Sequence, residues 1–260
     1  MTSERGFAGI AALLFAVSAV VTITWSDSMA AMRGMAMPGG WTMSMAWMRM
    51  PGQSWPGAAA TFLGMWIVMM VAMMLPSLVP MLARYRQAVT KPGAPPRFAS
   101  LTLIVGVGYF LVWTLIGLAT YPLGVVLASI QMLWPALARA TPLAAGAVVL
   151  VAGAMQFTAW KARQLACCRQ VPARDRTLRA DAGTALRHGL RIGLQCSHCC
   201  AGLTAILLVI GVMDLRAMAG VTAAITLERL APASETAARA IGIVIIVAGF
   251  LLITRAVAGL

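Results

Sequence analysis

Residues 58–82 read AAATFLGMWIVMMVAMMLPSLVPML, a run that is rich in methionine and contains no charged side chain. A helix needs about 20 mostly apolar residues to cross the hydrocarbon core of a bilayer. Backbone polar groups find no water in that core, so a segment of this composition is expected to satisfy them by forming a helix. The run therefore predicts a membrane-spanning helix, and with it an all-α fold.

Comparable apolar runs lie on both sides of this one, in a chain with 61% hydrophobic and only 10% charged residues. Such a composition leaves too little polar surface for a soluble globular domain. Residues 1–260 are therefore predicted to form one polytopic helical membrane domain. A span at Leu215–Leu230 would be short and would carry Glu228, so six spans remain possible besides seven. The seven candidates are Gly6–Trp25, Ala58–Leu82, Ser100–Leu127, Pro142–Trp160, Ile192–Met213, Leu215–Leu230 and Ala237–Ala256.

The net charge of +13 is concentrated between the predicted spans, where two loops hold twelve of the 20 basic residues. Loops rich in Lys and Arg stay in the cytoplasm. The pattern predicts a bacterial inner-membrane protein with a cytoplasmic N-terminus, an external loop at residues 26–57 and a basic cytoplasmic loop at residues 161–191. The charge is thereby explained as a topology signal, and no nucleic-acid partner is expected. The basic residues of the two loops are Arg84, Arg86, Lys91 and Arg97, and Lys161, Arg163, Arg169, Arg174, Arg176, Arg179, Arg187 and Arg191.

The first span has features of a secretory signal peptide, since Arg5 precedes an apolar run and Ser28-Met29-Ala30 resembles a cleavage site. A retained anchor is the favoured interpretation. Cleavage would leave the orientation of the second span unchanged.

Eight methionines lie in the predicted external loop, interleaved with glycine, proline and tryptophan. Thioethers are soft ligands that carry no proton to lose, so they remain able to bind metal in an oxidising or acidic compartment. One interpretation is weak capture of Cu(I) or Ag(I). The other is an interfacial segment whose methionine and tryptophan side chains lie among the lipid headgroups. The methionines are Met29, Met32, Met35, Met37, Met43, Met45, Met48 and Met50.

A second set of methionines, Met65, Met69 and Met73, recurs every four residues in the span at residues 58–82, on the same side as Pro76 and Pro80. Proline kinks a membrane helix, and the freed carbonyls are tolerated where the backbone faces protein. The stripe is therefore predicted to face the interior of the bundle. Core packing and metal binding both remain open for it.

All five cysteines fall within residues 167–200. On a helix, Cys196, Cys199 and Cys200 share one face, whereas His198 points almost the opposite way. Three thiols from one face, joined by Cys168 from the preceding loop, would suit a soft or borderline ion, with Cu(I) most plausible and zinc possible. Further candidate ligands are Cys167 and His188. In the predicted cytoplasmic location the thiols are expected to be reduced.

Three of the polar residues within the predicted spans bear on function. Gln156 indicates either an interior site or a hydrogen bond between helices. Glu228 indicates either a functional group inside the membrane or a carboxylate solvated at the interface. Tyr109 requires a hydrogen-bond partner if it is buried.

Several separated motifs are similar to those of a bacterial family of predicted metal-binding integral membrane proteins. They are Trp66-x2-Met69-x2-Ala72-Met73-Met74-x-Pro76, Gly108-Tyr109-x2-Val112-Trp113, Gly153-x2-Gln156-x4-Lys161, His188-Gly189, Cys199-Cys200 and Gly211-Val212-Met213. The family pattern has Lys-x2-Cys-Leu-x2-Cys followed by Cys-x-Gly-Cys-Cys. This chain departs from it with Gln164 in place of a cysteine, Cys167 as an extra one, and His198 in place of glycine. The resemblance implies metal binding and no particular reaction.

The favoured function is therefore binding of a soft transition metal, most plausibly Cu(I), for transport or for delivery to a membrane or periplasmic partner protein. Methionines outside, methionines in the second span and thiols inside would form an inward path. The alternatives are a membrane thiol oxidoreductase and a scaffold subunit of a membrane enzyme complex. The predicted cytoplasmic location of the cysteines argues against the oxidoreductase, and no hydrolytic constellation is visible, so an enzyme is the less favoured class. The sequence also contains no phosphate-binding glycine loop, so ATP-driven pumping within this chain is not expected.

Overall fold

Eight α-helices make up most of the computed structural model, which describes residues 2–32, 34–89, 98–170 and 181–258. Two short strands, β1 (Met35–Met37) and β2 (Trp41–Met43), and a 3₁₀ turn at Met45–Trp47 lie between the first two helices. The helices are α1 (Thr2–Ala31), α2 (Trp55–Val89), α3 (Phe98–Leu133), α4 (Pro135–Met155), α5 (Ala159–Gln170), α6 (Ala182–Ile210), α7 (Leu215–Leu230) and α8 (Ser234–Ala258).

Six of these helices, all except α5 and α7, are long and apolar enough to cross a membrane. The predicted all-α polytopic fold is confirmed, with the smaller of the two predicted numbers of spans. The candidate that drops out is the short one at Leu215–Leu230, because a helix of 16 residues extends about 24 Å, less than the roughly 30 Å of a hydrocarbon core. Of the basic loop residues, Lys91, Arg97, Arg174, Arg176 and Arg179 lie outside the described part of the chain.

The short helix α7 nevertheless carries the chain back along the bundle. Helices α3 and α6 run parallel, since later residues of α3 contact later residues of α6. Gly108 contacts Leu186 and Gly189, and further along Gly193 contacts Tyr109 and Val112. Helix α4 turns back directly after α3, and α8 runs antiparallel to α4 through contacts such as Gly146 with Ile253. Helices α6 and α8 therefore run in the same direction. The segment between α6 and α8 must therefore run in the opposite direction, and α7 provides this return.

The bundle has two chemically distinct ends. At the first, here called the Met-rich end, the strands β1 and β2 pair antiparallel, with Met35 opposite Met43, and Trp41 Nε1 donates to Ala138 O at 2.8 Å. Met37 and Met43 are buried there, whereas Met32 and Met35 are exposed. The opposite end, here called the basic end, holds the C-terminus of α2 and the N-termini of α5, α6 and α8. The methionine-rich segment between α1 and α2 is thus a folded hairpin rather than an irregular loop.

Helix boundaries differ from the predicted spans mainly at the basic end. Helix α6 begins at Ala182, ten residues before the predicted start, because the Asp181 side chain caps it by accepting from Thr184 N at 2.9 Å. It ends at Ile210, and its C-cap is Gly211, whose φ of 147° suits glycine. Helix α4 ends at Met155, so Gln156 lies at its C-cap and not inside the span. Helix α5, which carries Cys167 and Cys168, then occupies the first part of the predicted basic loop.

Close approach of α3 and α6 positions the cysteine-bearing face of α6. A Cβ atom at Gly108 would lie 2.7 Å from the carbonyl oxygen of Leu186, and a Cβ atom at Gly189 would collide with the carbonyl of Val105. Small residues permit this backbone contact, which is a common basis of helix packing in membranes. The contact on the α3 side is made by Gly108, whereas nothing lies within 4 Å of a Cβ atom at Gly106.

Replacing Gly108 by Ala should destabilise the protein by about 1–3 kcal/mol, because the new methyl group forces α3 and α6 apart. Replacing Gly106 by Ala is the matched control, since it adds the same methyl to the same helix where nothing lies within 4 Å. The free energy of unfolding in mixed detergent micelles would measure both. Equal stability of the two variants would contradict the close contact.

Candidate metal centre

The three cysteines of α6 form the centre of a buried cluster. Cys196, Cys199 and Cys200 are each at most 2% exposed, and the sulfurs of Cys196 and Cys200 lie 3.8 Å apart. His198, on the same helix, is exposed. The predicted common face of the three thiols and the opposite direction of His198 are therefore both observed. The name thiol cluster is used below for these three residues together with Cys168.

Cys168 joins the cluster from α5. Its thiol is buried, donates to the carbonyl of Gln195 at 3.4 Å and contacts the thiol of Cys199. The hydrogen bond with Cys199 and burial both raise the pKa of the Cys168 thiol above its usual range. Cys167 is half-buried and faces elsewhere, accepting a hydrogen bond from Gln195 Nε2 at 3.3 Å. All five cysteines are free thiols.

A buried arginine from α7 contacts the thiol cluster. Arg229 is 7% exposed, and its Nη1 donates to Cys196 Sγ at 3.1 Å and to Ser77 Oγ at 3.0 Å. Its Nη2 donates to Met81 Sδ at 2.9 Å. Within the described residues, no carboxylate pairs with this guanidinium. The arginine therefore connects α2, α6 and α7 chiefly through two sulfur atoms.

Tyr109 of α3 approaches the same cysteine from another side. The residue is fully buried, and its hydroxyl donates to Cys196 Sγ at 3.0 Å. The partner that a buried tyrosine requires is therefore a thiol. Cys196 is thus surrounded by a guanidinium, a phenol and the thiol of Cys200.

A buried ion pair lies next to the cluster. Lys161 Nζ is 2.7 Å from Glu228 Oε2 and 2.8 Å from the carbonyl oxygen of Cys199, and both charged side chains are at most 4% exposed. The interpretation of Glu228 as a carboxylate solvated at the interface is therefore wrong. Burial raises the pKa of Glu228, and the neighbouring ammonium opposes that increase. Gln156, also buried, lies beside the pair.

Replacing Glu228 by Gln should destabilise the protein by about 3–5 kcal/mol, because it leaves the Lys161 ammonium buried without a countercharge. Glu235 to Gln is the matched control. It breaks the pair with Arg239, in which both side chains are more than 60% exposed, and should change stability by less than about 0.5 kcal/mol. Unfolding of both variants in mixed micelles would test the difference, and a small effect for Glu228 would contradict a buried pair.

The methionine stripe of α2 lies inside the bundle, as predicted. Met65, Met69 and Met73 are at most 4% exposed, and α2 stays one continuous helix through Pro76 and Pro80. The same four-residue spacing continues through Ser77 and Met81, the two residues of α2 that contact Arg229. The stripe therefore extends along α2 to the thiol cluster.

His188 does not join the thiol cluster. It is buried on α6 and stacks on Tyr85 of α2, with ring centroids 5.2 Å apart. It precedes Cys196 by two helical turns, which is about 12 Å along the axis. The role of His188 as a nitrogen ligand stays a prediction, and it would concern a position nearer the basic end than the thiols.

The donor atoms fit a soft cation, although the described residues contain no group of three His, Cys, Asp or Glu side chains arranged as a finished metal site. Two thiolates bound to one tetrahedral ion at 2.3 Å each would lie about 3.8 Å apart. That is the observed separation of Cys196 and Cys200. Binding an ion there would require local movement of the groups that now contact Cys196.

Several residues of this centre were not among the sequence-predicted ligands. Arg229, Ser77 and Met81 converge from helices that are far apart in sequence, and Lys161 lies in the predicted loop. The available signals were a pair of adjacent charges at Glu228 and Arg229 in an apolar segment, and the Gln156-x4-Lys161 motif of the resemblance.

Comparison with known proteins identifies a family. A family model described as PpoB2, copper chaperone, matches residues 63–252, which include α3 to α7 and most of α2 and α8. Comparison with curated proteins and with solved structures yields no match. The matched region contains the thiol cluster, the methionine stripe and the buried charges. The chain therefore belongs to the PpoB2 copper chaperone family.

Proposed function

We propose that this protein binds Cu(I) at the thiol cluster and delivers it to a partner protein. The copper-related function follows from the family, and the binding site is inferred from the geometry. The observation that carries the proposal is the convergence of four thiols from α5 and α6 in the interior of an apolar bundle. Thiolates are the ligands that Cu(I) prefers.

The surroundings of the cluster support binding of a monovalent soft ion. A Cu(I) ion held by two or three thiolates carries a net negative charge. Arg229 contacts Cys196, and no carboxylate among the described residues pairs with it, so this guanidinium is close enough to neutralise one negative charge at the cluster. Zinc, which is borderline in softness, is the second candidate for the same thiols.

We further propose that copper enters at the Met-rich end and passes along α2. The buried stripe of Met65, Met69 and Met73 supports this route because it leads towards Met81 and the thiol cluster. Thioethers bind Cu(I) less strongly than thiolates do, so affinity would rise along the path. The Met-rich end would then face the outside of a bacterial inner membrane, and the basic end the cytoplasm.

Release would take place near the basic end. A cavity of about 260 Å³ lies at the break between α4 and α5, where it is lined by Gln156, Thr158, Lys161 and Arg239, among others. Lys161 therefore contacts both the cavity and the backbone of Cys199. A partner protein that docks at this end would approach the thiol cluster from the side of the buried ion pair.

The geometry of the Cys196 and Cys200 pair favours metal binding over disulfide formation. Cys196 and Cys200 are four residues apart on one helix, where Cβ atoms are separated by about 5–6 Å. A disulfide needs a Cβ separation of about 3.5–4.5 Å, so the pair could be oxidised only with distortion of α6. All three cysteines of α6 are also buried away from any thiol partner in solution.

Replacing Cys196, Cys199 and Cys200 together by Ser should abolish stoichiometric copper binding, because hydroxyl groups are poor ligands for Cu(I). Metal analysis of the purified, never-chelated protein would measure it. His198 to Ala is the control variant and should retain the metal, since that side chain is exposed on the opposite face. Equal metal content in the triple variant and the unmodified protein would contradict the site.

Replacing Met69 and Met73 by Leu should prevent copper added outside oriented vesicles from reaching the cysteines, while detergent-opened protein still binds it. The matched control replaces Met70 and Met74 by Leu. These methionines are equally buried on the same helix, but each lies one position after a stripe residue and so outside the stripe. X-ray absorption at the copper edge would detect thiolate ligation in each preparation. Equal thiolate loading of both double variants in vesicles would contradict the route.

A further inference from the structure

We propose that Met81 is a ligand to the copper ion, and that the guanidinium of Arg229 occupies the metal position while the protein is empty. This inference rests on the proposed function, because it adds a thioether to the thiol cluster that would bind Cu(I). The juxtaposition that carries it is the pair of sulfur atoms, one from α2 and one from α6, that contact the same buried cation.

The contacts of Arg229 are unusual for a buried guanidinium. Such a group is ordinarily paired with a carboxylate, since burying an uncompensated charge is costly. Here Nη1 donates to Cys196 Sγ at 3.1 Å and Nη2 donates to Met81 Sδ at 2.9 Å, while the remaining contact is a serine hydroxyl. The surroundings of this cation therefore resemble those of a soft metal ion more than those of an ordinary salt bridge.

Cu(I) is the cation that fits these donors best. It prefers thiolate and thioether ligands, and it carries the same single positive charge as a guanidinium. Cys200 lies 3.8 Å from Cys196, so an ion beside Cys196 could also reach a second thiol. Ser77 is a hard donor and is expected to hold Arg229 without binding copper.

When copper binds, Arg229 would move away from the metal position but stay close to the bound ion. A Cu(I) ion bound by two thiolates and one thioether carries one net negative charge, which a nearby guanidinium neutralises. When copper leaves, the same group can return to Cys196 and Met81. The arginine thereby keeps the buried sulfurs in place in the empty protein.

Replacing Met81 by Leu should weaken Cu(I) binding at least about tenfold, given that even residues that only support metal ligands typically contribute 10–100-fold in affinity. Competition with a chromogenic Cu(I) chelator would measure the affinity. Met74 to Leu is the matched control. Met74 is buried on the same helix as Met81, but none of the described hydrogen bonds joins it to Arg229. Equal affinities of the two variants would overturn the proposal.

X-ray absorption at the copper edge gives an independent readout. In protein labelled with selenomethionine, ligation by Met81 should produce Cu–Se scattering that disappears in Met81 to Leu and persists in Met74 to Leu. If Met81 to Leu does not fold, labelled Met81 to Gln decides the question, because glutamine has a similar length, can accept a hydrogen bond from Arg229 and contains no sulfur. Loss of Cu–Se scattering in that protein supports Met81, and its persistence overturns the proposal.

The failure of this inference can be distinguished from failure of the proposed function. If the unmodified protein binds no more copper than the variant with Cys196, Cys199 and Cys200 replaced by Ser, the copper site itself is refuted. If copper depends on those cysteines but neither the affinity nor the Cu–Se scattering depends on Met81, only the thioether ligand is refuted.

Discussion

The contact between Arg229 and Cys196 links the short helix α7 to the rest of the bundle. Helix α7 buries three large apolar side chains, Met218, Val221 and Ile225, and it carries two adjacent charged residues, Glu228 and Arg229, in its last turn. In an apolar interior those charges have to be satisfied by specific partners. Glu228 pairs with Lys161, while Arg229 contacts Ser77, Met81 and Cys196. These partners lie on three other helices, so satisfying the charges determines where α2, α5, α6 and α7 meet.

The need to give buried charges a partner also explains why the cysteines lie next to Arg229 and Lys161. Removing one partner from a buried polar network leaves the others unsatisfied, so the network is maintained as a unit. Close backbone packing of α3 against α6 at Gly108 and Gly189 brings Tyr109 within hydrogen-bond distance of Cys196. Glycine contacts thus provide the rigid support, and the buried polar groups orient the thiols. The proposed copper site would need both, since its ligands have to keep their positions when no metal is bound.

Much of the thiol cluster and of the methionine stripe could be predicted from the helical period of the sequence. The spacing of Cys196, Cys199 and Cys200 placed three thiols on one helical face and His198 on the other, and the structure agrees. The interior direction of Met65, Met69 and Met73 followed from the same rule. The ends of the helices could not be predicted from periodicity. The start of α6 depends on the Asp181 cap, and residues 182–191 are too polar to be included in a span selected by hydropathy alone.

The sequence by itself determined the fold class, the apolar spans and the faces of α2 and α6, because hydropathy and the 3.6-residue period act over a few residues. Only the tertiary structure decided which faces meet. Lys161 and Glu228 are 67 positions apart, and Ser77 and Arg229 are 152 apart. No local pattern encodes such pairings. They arise because the bundle has to pack its helices closely while giving every buried charge a partner, and the thiol cluster lies where those two constraints coincide.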